Sequence, residues 1–157
     1  MYYVIVATLM FVFPLLSVGA EAWTTGAPID AALIGKWFVF WAVGCRLFLA
    51  GLRQIVQPAY TARVILGLEH DESHILVREL GFANVALGAV GVLALFVPSW
   101  RLAAALAGGV FYGLAGVNHL FHAHRNRLEN VAMVSDVFAS IVLLWVLASG
   151  AWVFTAR

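Results

Sequence analysis

Hydrophobic residues run through this chain in five long stretches, and the charged residues gather in the connections and near the ends of the stretches. The stretches cover residues 2–19, 32–52, 75–97, 102–121 and 131–154. An α-helix needs about 20 apolar residues to cross the hydrocarbon core of a bilayer, and each stretch is close to that length. The pattern predicts an all-α fold, a polytopic transmembrane bundle of five helices.

Composition supports this assignment and narrows the set of partners. Hydrophobic residues make up 64% of the 157 residues and charged residues 11%, which is too few charges to coat a soluble protein. Residues 1–157 are predicted to form a single integral-membrane domain. The net charge is +1 and no basic stripe is present, so nucleic acid is not an expected partner. The expected partners are the lipid bilayer and a second copy or another membrane protein.

Basic residues and tryptophans are distributed unequally between the two sides of the predicted bundle. The side with the N-terminus holds Arg53, Arg63, Arg78, Arg125 and Arg127, and the other side holds Lys36, Arg101 and Arg157. Because cytoplasmic connections carry the excess of Lys and Arg, the N-terminus is predicted to be cytoplasmic. The opposite side also holds the residues expected to form an interfacial aromatic belt: Trp23, Trp37, Trp100 and Trp152.

Small residues recur at helical spacing in the middle of the chain. The fourth stretch has Ala105, Gly109 and Gly113 four apart, with Gly116 three further on. Lipid provides no hydrophobic drive between helices, so transmembrane helices approach closely through such small residues. Glycines also recur in the second and third stretches. The second, third and fourth helices are therefore predicted to form the tight centre of the bundle.

Arg46 constrains the interior more than any other residue. It lies about two helical turns inside the second stretch, where an unpaired guanidinium is energetically costly. The acids at comparable depth are Glu79 and Asp136. Ionisable groups inside a membrane pair with one another and face the bundle interior. We therefore predict a network that links Arg46 to Glu79 or Asp136, with hydrogen bonds completed by Asn84, Asn118 and His119.

Polar residues of four stretches converge on the cytoplasmic leaflet, which predicts a ligand pocket there. The predicted lining is Arg46, Arg53, Arg78, Glu79, Asn84, Tyr112, Asn118, His119 and Asp136. The first hypothesis for function is a binding protein or accessory subunit for a small polar or lipid-like ligand. The alternative is that the polar pairs merely hold helices together, since buried polar groups also serve packing specificity.

Other functions are compatible with the same residues. An enzyme acting on a lipid-phase substrate would use His119, Glu79 and Asp136 as its candidate acids and bases, because imidazole titrates near neutral pH. A metal site would draw on His119, His122 and His74, and a haem on His119, although no specific motif is present. Proton or solute transport is the third hypothesis, and it needs a polar route across the whole bilayer. No cofactor follows from the sequence.

Four segments carry a family resemblance: residues 36–41 (KWFVFW), 46–54 (RLFLAGLRQ), 78–84 (RELGFAN) and 111–119 (FYGLAGVNH). They resemble a bacterial family of small multi-pass membrane proteins described as a domain of unknown function. The plan also resembles DoxX-type four-helix membrane proteins. The resemblance covers residues 33–150 and implies a multi-pass protein of the inner membrane. It implies no activity and no catalytic residue, because a fold alone does not set a function.

Overall fold

The computed structural model describes residues 2–121 and 126–149. Its five long helices are α1 (Tyr2–Thr25), α2 (Ala31–Val56), α3 (Ser73–Leu93), α4 (Arg101–Phe121) and α5 (Arg127–Ala148). All five are long and apolar enough to cross a membrane. Between α2 and α3 the chain forms a short helix, Tyr60–Ile65. The predicted all-α bundle of five long helices is confirmed, and no strand occurs within these described ranges.

Local side-chain contacts explain where the helices begin and end. Asp30 accepts a hydrogen bond from the backbone N–H of Leu33, 2.9 Å away, and so caps the start of α2. Asn126 does the same for Glu129, also at 2.9 Å, and α5 therefore begins at Arg127 rather than at residue 131. Side-chain oxygens at this position satisfy N–H groups that the first helical turn leaves unpaired. Helix α1 ends at Thr25, six residues beyond the predicted end, and is followed by Gly26 with φ of 69°.

The third and fifth predicted helices differ from the structure at their C-terminal ends. We expected the third to reach residue 97, but α3 ends at Leu93. Turns follow it up to Pro98, whose ring restricts the preceding residue to extended conformations. Residues 150–154 of the fifth predicted helix lie outside the described residues.

Helices α2 and α3 approach each other through facing glycines. A methyl group added at Gly88 would lie 2.4 Å from the backbone nitrogen of Phe48, and one added at Gly91 would lie 2.5 Å from that of Gly44. These distances are far inside van der Waals contact, so the two backbones touch directly. The predicted close contact of the second and third helices is present.

Helix α4 packs through two faces. The contacts of one face differ from the prediction about the centre of the bundle. Its Gly108 face lies against Val43 of α2, as expected for a central helix. The predicted stripe of small residues, however, packs against α5, where Gly109 meets Leu144 and Gly116 meets Val137. Helix α5 therefore belongs to the tight centre together with α2, α3 and α4.

Gly88→Ala should lower the thermal unfolding temperature of the protein in detergent, because the added methyl group forces α2 and α3 apart. Overpacking of this kind costs about 1–3 kcal/mol. Gly19→Ala is the matched control, since an added methyl group there meets no atom within 4 Å. That variant should unfold at the wild-type temperature or slightly above it. Equal losses in the two variants would contradict the close packing of α2 on α3.

Candidate functional site

An ion pair inside the bundle joins α2 to α5. The guanidinium of Arg46 donates to the Asp136 carboxylate at 2.8 Å, and the Ser135 hydroxyl lies 3.4 Å away. The two charged side chains are 13% and 7% exposed. The Arg46 guanidinium carbon also lies 5.0 Å from the centroid of the Tyr112 ring, which comes from α4. Asp136 is thus the acid that pairs with Arg46, one of the two partners expected from the sequence.

Glu79, the other expected partner, is not part of this network. Glu79 and Arg78 are both exposed on α3. The buried residues of that helix, including Val77, Gly81 and Asn84, follow helical spacing and face the bundle. Residues 78 and 79 lie between two positions of that stripe and so point outward. Neither residue lines the cavity that contains Arg46, contrary to the predicted pocket lining, and a catalytic role for Glu79 stays a prediction.

His119 pairs with a carboxylate that the sequence reasoning did not select. Its Nδ1 lies 3.0 Å from Oε1 of Glu129, which is 3% exposed at the start of α5. Glu129 precedes Asp136 by seven residues, which places both carboxylates on one face of a helix. That spacing was an available signal, but Glu129 was not among the predicted site residues. Asn118, the neighbour of His119, is exposed and lines a neighbouring cavity with His119 and Glu129.

A second buried polar pair connects α2 and α3. Asn84 is 3% exposed, and its Nδ2 donates to Oε1 of Gln54 at 2.8 Å. Gln54 is 8% exposed and was not among the predicted site residues. Within the described residues, Oδ1 of Asn84 is buried and has no hydrogen-bond partner. A buried acceptor without a hydrogen bond carries a free-energy cost.

These groups surround a cavity of about 200 Å³. Its wall comes from all five long helices and the short helix Tyr60–Ile65. The lining residues are Tyr2, Arg46, Leu47, Ala50, Arg53, Gln54, Tyr60, Thr61, Ile65, Leu66, Leu80, Asn84, Phe111, Ala115, His119 and Asp136. The structure therefore brings five of the predicted residues to one cavity: Arg46, Arg53, Asn84, His119 and Asp136. Tyr112 is fully buried beside Arg46, and its hydroxyl donates a hydrogen bond to the backbone carbonyl of Ala42.

Arg53 stands apart from the other charged residues of the cavity. Its guanidinium carbon lies 3.7 Å from the centroid of the Tyr60 ring, a cation–π stacking contact. Its Nε atom is buried and has no hydrogen-bond partner among the described residues. Within the same ranges, 2–121 and 126–149, no carboxylate oxygen lies close enough to form a salt bridge with it. Arg53 therefore contacts an aromatic ring and forms no ion pair with an acid among the described residues.

The short helix Tyr60–Ile65 lies between the second and third predicted stretches and was not predicted from the sequence. It contributes Tyr60, Thr61 and Ile65 to the cavity wall. Asn126 holds it in place: its Nδ2 lies 2.9 Å from the Ile65 carbonyl oxygen and 3.3 Å from that of Val64. The segment is short and lacks a long apolar run, so periodicity gave no signal for it.

Two of the three predicted metal ligands, His119 and His74, lie within the described residues. His122 lies outside the described residues, so the set of His119, His122 and His74 stays a prediction. Within the described ranges, no group of three His, Cys, Asp or Glu side chains is arranged to hold a metal ion. Nε2 of His74 is buried and has no hydrogen-bond partner among the described residues, and its Nδ1 lies 3.8 Å from Oδ1 of Asp71.

The opposite end of the bundle holds polar contacts of a different kind. Glu21 of α1 accepts hydrogen bonds from Lys36 at 2.7 and 2.8 Å and from the indole N–H of Trp37 at 2.7 Å. The indole N–H of Trp41 donates to Ser17 at 2.9 Å. All of these groups are satisfied within the protein and attach α1 to α2. Trp37, expected in the aromatic belt, therefore uses its N–H inside the bundle.

The chain belongs to a family of unknown function, DUF6790, whose model matches residues 1–153. This membership confirms the expected resemblance to an uncharacterised family. No curated protein and no solved structure matches the chain.

Removal of one partner of the Arg46–Asp136 pair should destabilise the protein strongly, because the other charge stays buried without compensation. Arg46→Met and Asp136→Leu should each cost about 3–5 kcal/mol of unfolding free energy. The double variant should recover much of that loss, since it buries no charge. Thermal unfolding of all three in one detergent measures the coupling. Arg63→Met is the control, because its pair with Asp71 is exposed and is worth about 1 kcal/mol or less. Losses that simply add in the double variant would contradict the pairing.

Proposed function

We propose that this chain is a multi-pass protein of the bacterial inner membrane that binds a small polar ligand in the cavity beside Arg53 and Asn84. It acts as a binding protein or accessory subunit, and its N-terminus is cytoplasmic. The orientation is supported by the larger number of arginines on the side of the N-terminus. The cavity lies in the half of the bundle nearer to that side, within the cytoplasmic leaflet.

The observation that carries this proposal is a pair of buried, unpartnered polar atoms in one cavity wall. Nε of Arg53 is a donor and Oδ1 of Asn84 is an acceptor, and both lack a partner within the described residues. Buried polar atoms are almost always satisfied by protein, water or ligand. Helix-holding pairs, such as Arg46 with Asp136, need no cavity. Arg53 contacts the aromatic ring of Tyr60 and does not join two long helices through an ion pair.

The size of the cavity limits the ligand. Pockets for drug-sized molecules have volumes of roughly 300–1,000 Å³, whereas this cavity measures about 200 Å³. A small solute or a lipid headgroup fits such a space, and a complete lipid does not. The ligand is therefore a small polar molecule or the polar end of a membrane lipid.

Binding is favoured over transport by the residues between the two polar ends. The buried side chains of α2 between Lys36 and Arg46 include Phe38, Val39 and Val43, and Leu143 of α5 packs with them. This part of the core is apolar and closely packed. A solute or proton would have to cross it to reach the other side of the membrane.

A small molecule should remain with the wild-type protein when it is released from membranes and analysed by native mass spectrometry. Ala115→Phe should abolish this retention, because Ala115 lines the cavity and the added ring fills it. Ala86→Phe is the matched control, since Ala86 is exposed on α3 and does not line the cavity. Retention that is equal in all three proteins would contradict binding at this site.

The His119–Glu129 contact favours a second candidate function, an enzyme that uses acid–base chemistry. A buried carboxylate orients the imidazole ring, and His119 also lines the cavity. A carboxylate-oriented histidine beside a ligand is a recurrent arrangement for general base catalysis. In this reading the cavity holds a substrate, and the proton of a substrate O–H or N–H group passes to the imidazole.

His119→Gln distinguishes an enzyme from a binding protein, because an enzyme without its base retains unreacted substrate. We expect the variant to hold a molecule of different mass from that of the wild-type protein if the site is catalytic. The same molecule in both proteins, at similar occupancy, would contradict the enzyme hypothesis and leave the binding function in place. Unfolding temperatures of both proteins show whether the variant is folded.

A further inference from the structure

We propose that the ligand of this cavity is an oxyanion that also carries a hydroxyl group, such as a phosphorylated or carboxylated polyol or the polyol phosphate headgroup of a lipid. This inference rests on the proposed binding function and specifies its ligand. Two features of the cavity carry it: an excess of positive charge at Arg53 and an acceptor without a donor at Asn84.

Among the residues that the structure describes, the charges that line the cavity leave one cation uncompensated. The charged lining residues are Arg46, Arg53 and Asp136. Arg46 and Asp136 neutralise each other at 2.8 Å, so the charge of Arg53 remains. The carboxylate of Glu129 is paired with His119 and does not line this cavity. A ligand that carries at least one negative charge would therefore compensate the buried charge of Arg53.

The geometry of Arg53 suits an oxyanion better than a simple halide ion. Its guanidinium lies 3.7 Å from the Tyr60 ring centroid, and this contact immobilises the side chain. A guanidinium presents its donors in a planar fork that matches the oxygens of a carboxylate or phosphate. Nε of Arg53 is buried and lacks a partner among the described residues, so at least one donor of that fork is available to a ligand.

Asn84 adds the requirement for a hydroxyl group. Its amide nitrogen is already engaged with Gln54 at 2.8 Å, which fixes the orientation of the amide. The remaining atom, Oδ1, can only accept a hydrogen bond. A fully ionised phosphate ester or carboxylate group has no proton to donate. The ligand therefore needs a second polar group with a proton, and a hydroxyl group is the simplest one.

Matched soluble probes test both requirements on the wild-type protein. Glycerol 3-phosphate carries both groups, propyl phosphate lacks the hydroxyl groups, and glycerol lacks the charge. Glycerate and propionate give the same comparison for a carboxylate. We expect the hydroxylated anions to raise the thermal unfolding temperature most. Loss of one neutral hydrogen bond should weaken binding about three- to tenfold, and loss of the charge about 10- to 100-fold.

Variants connect the effect to the two residues. Arg53→Gln should remove the advantage of the anions over glycerol, and Arg53→Lys should restore it in part because it keeps the charge without the planar fork. Asn84→Ala should make glycerol 3-phosphate and propyl phosphate bind equally. Arg78→Gln is the control for surface charge, because Arg78 is exposed on α3, and its probe preferences should match those of the wild-type protein.

Nanodiscs distinguish a lipid headgroup from a free solute. If the ligand is a headgroup, phosphatidylglycerol discs should stabilise the wild-type protein over phosphatidylcholine discs, and Arg53→Gln should remove the difference. If it is a free solute, glycerol 3-phosphate or glycerate should stabilise the protein in either type of disc.

Equal effects of charged and neutral probes, or of probes with and without hydroxyl groups, would overturn this inference. So would the absence of any probe or lipid effect in a protein that still retains a small molecule in mass spectrometry, and in that case the binding function stands. Without retention and without any probe or lipid effect, both proposals fail.

Discussion

The ion pair between Arg46 and Asp136 is the constraint on which the rest of the structure depends. Neither charge is tolerable alone among apolar side chains, so α2 and α5 must keep the facing orientation that brings the two groups to 2.8 Å. Helix α4 enters the same arrangement through Tyr112, whose ring lies beside Arg46 and whose hydroxyl donates to the Ala42 carbonyl. Once these three helices are oriented, the glycine contacts of α2 position α3 against them.

The bundle combines close packing and open space by placing small and long side chains at neighbouring positions of the same helices. Where Gly88 and Gly91 face α2, the two backbones touch. Toward the side of the N-terminus, Gly51 and Gly81 still bring these backbones together, while Arg53, Gln54 and Asn84 line the cavity. These groups satisfy only part of their hydrogen-bonding capacity with one another, and the short helix covers the space that they leave. The cavity therefore lies beside the glycine contact of α2 and α3.

The sequence predicts the helices of this protein better than it predicts the contacts between them. Hydropathy alone identifies five membrane-length helices, and the depth of Arg46 shows that it needs an acid. The choice between Glu79 and Asp136 depends on how α3 and α5 are rotated about their axes, which a single sequence does not reveal. Glu129 was recognisable from its seven-residue spacing to Asp136. The short helix at Tyr60 had no periodic signal because it is too short and lacks a long apolar run. It is held by Asn126 from a distant part of the chain, a contact that the local sequence does not reveal.

The 90 residues that separate Arg46 from Asp136 also have a consequence for biosynthesis. A chain made from its N-terminus exposes α2 to the bilayer while α5 has not yet been synthesised. Insertion of a central arginine costs roughly 2.5–3.5 kcal/mol on scales measured with the translocon, and the surrounding apolar residues of α2 must offset that cost. Until α5 arrives, the charge of Arg46 therefore has no partner in the nascent protein, and insertion of α5 is the event that neutralises it.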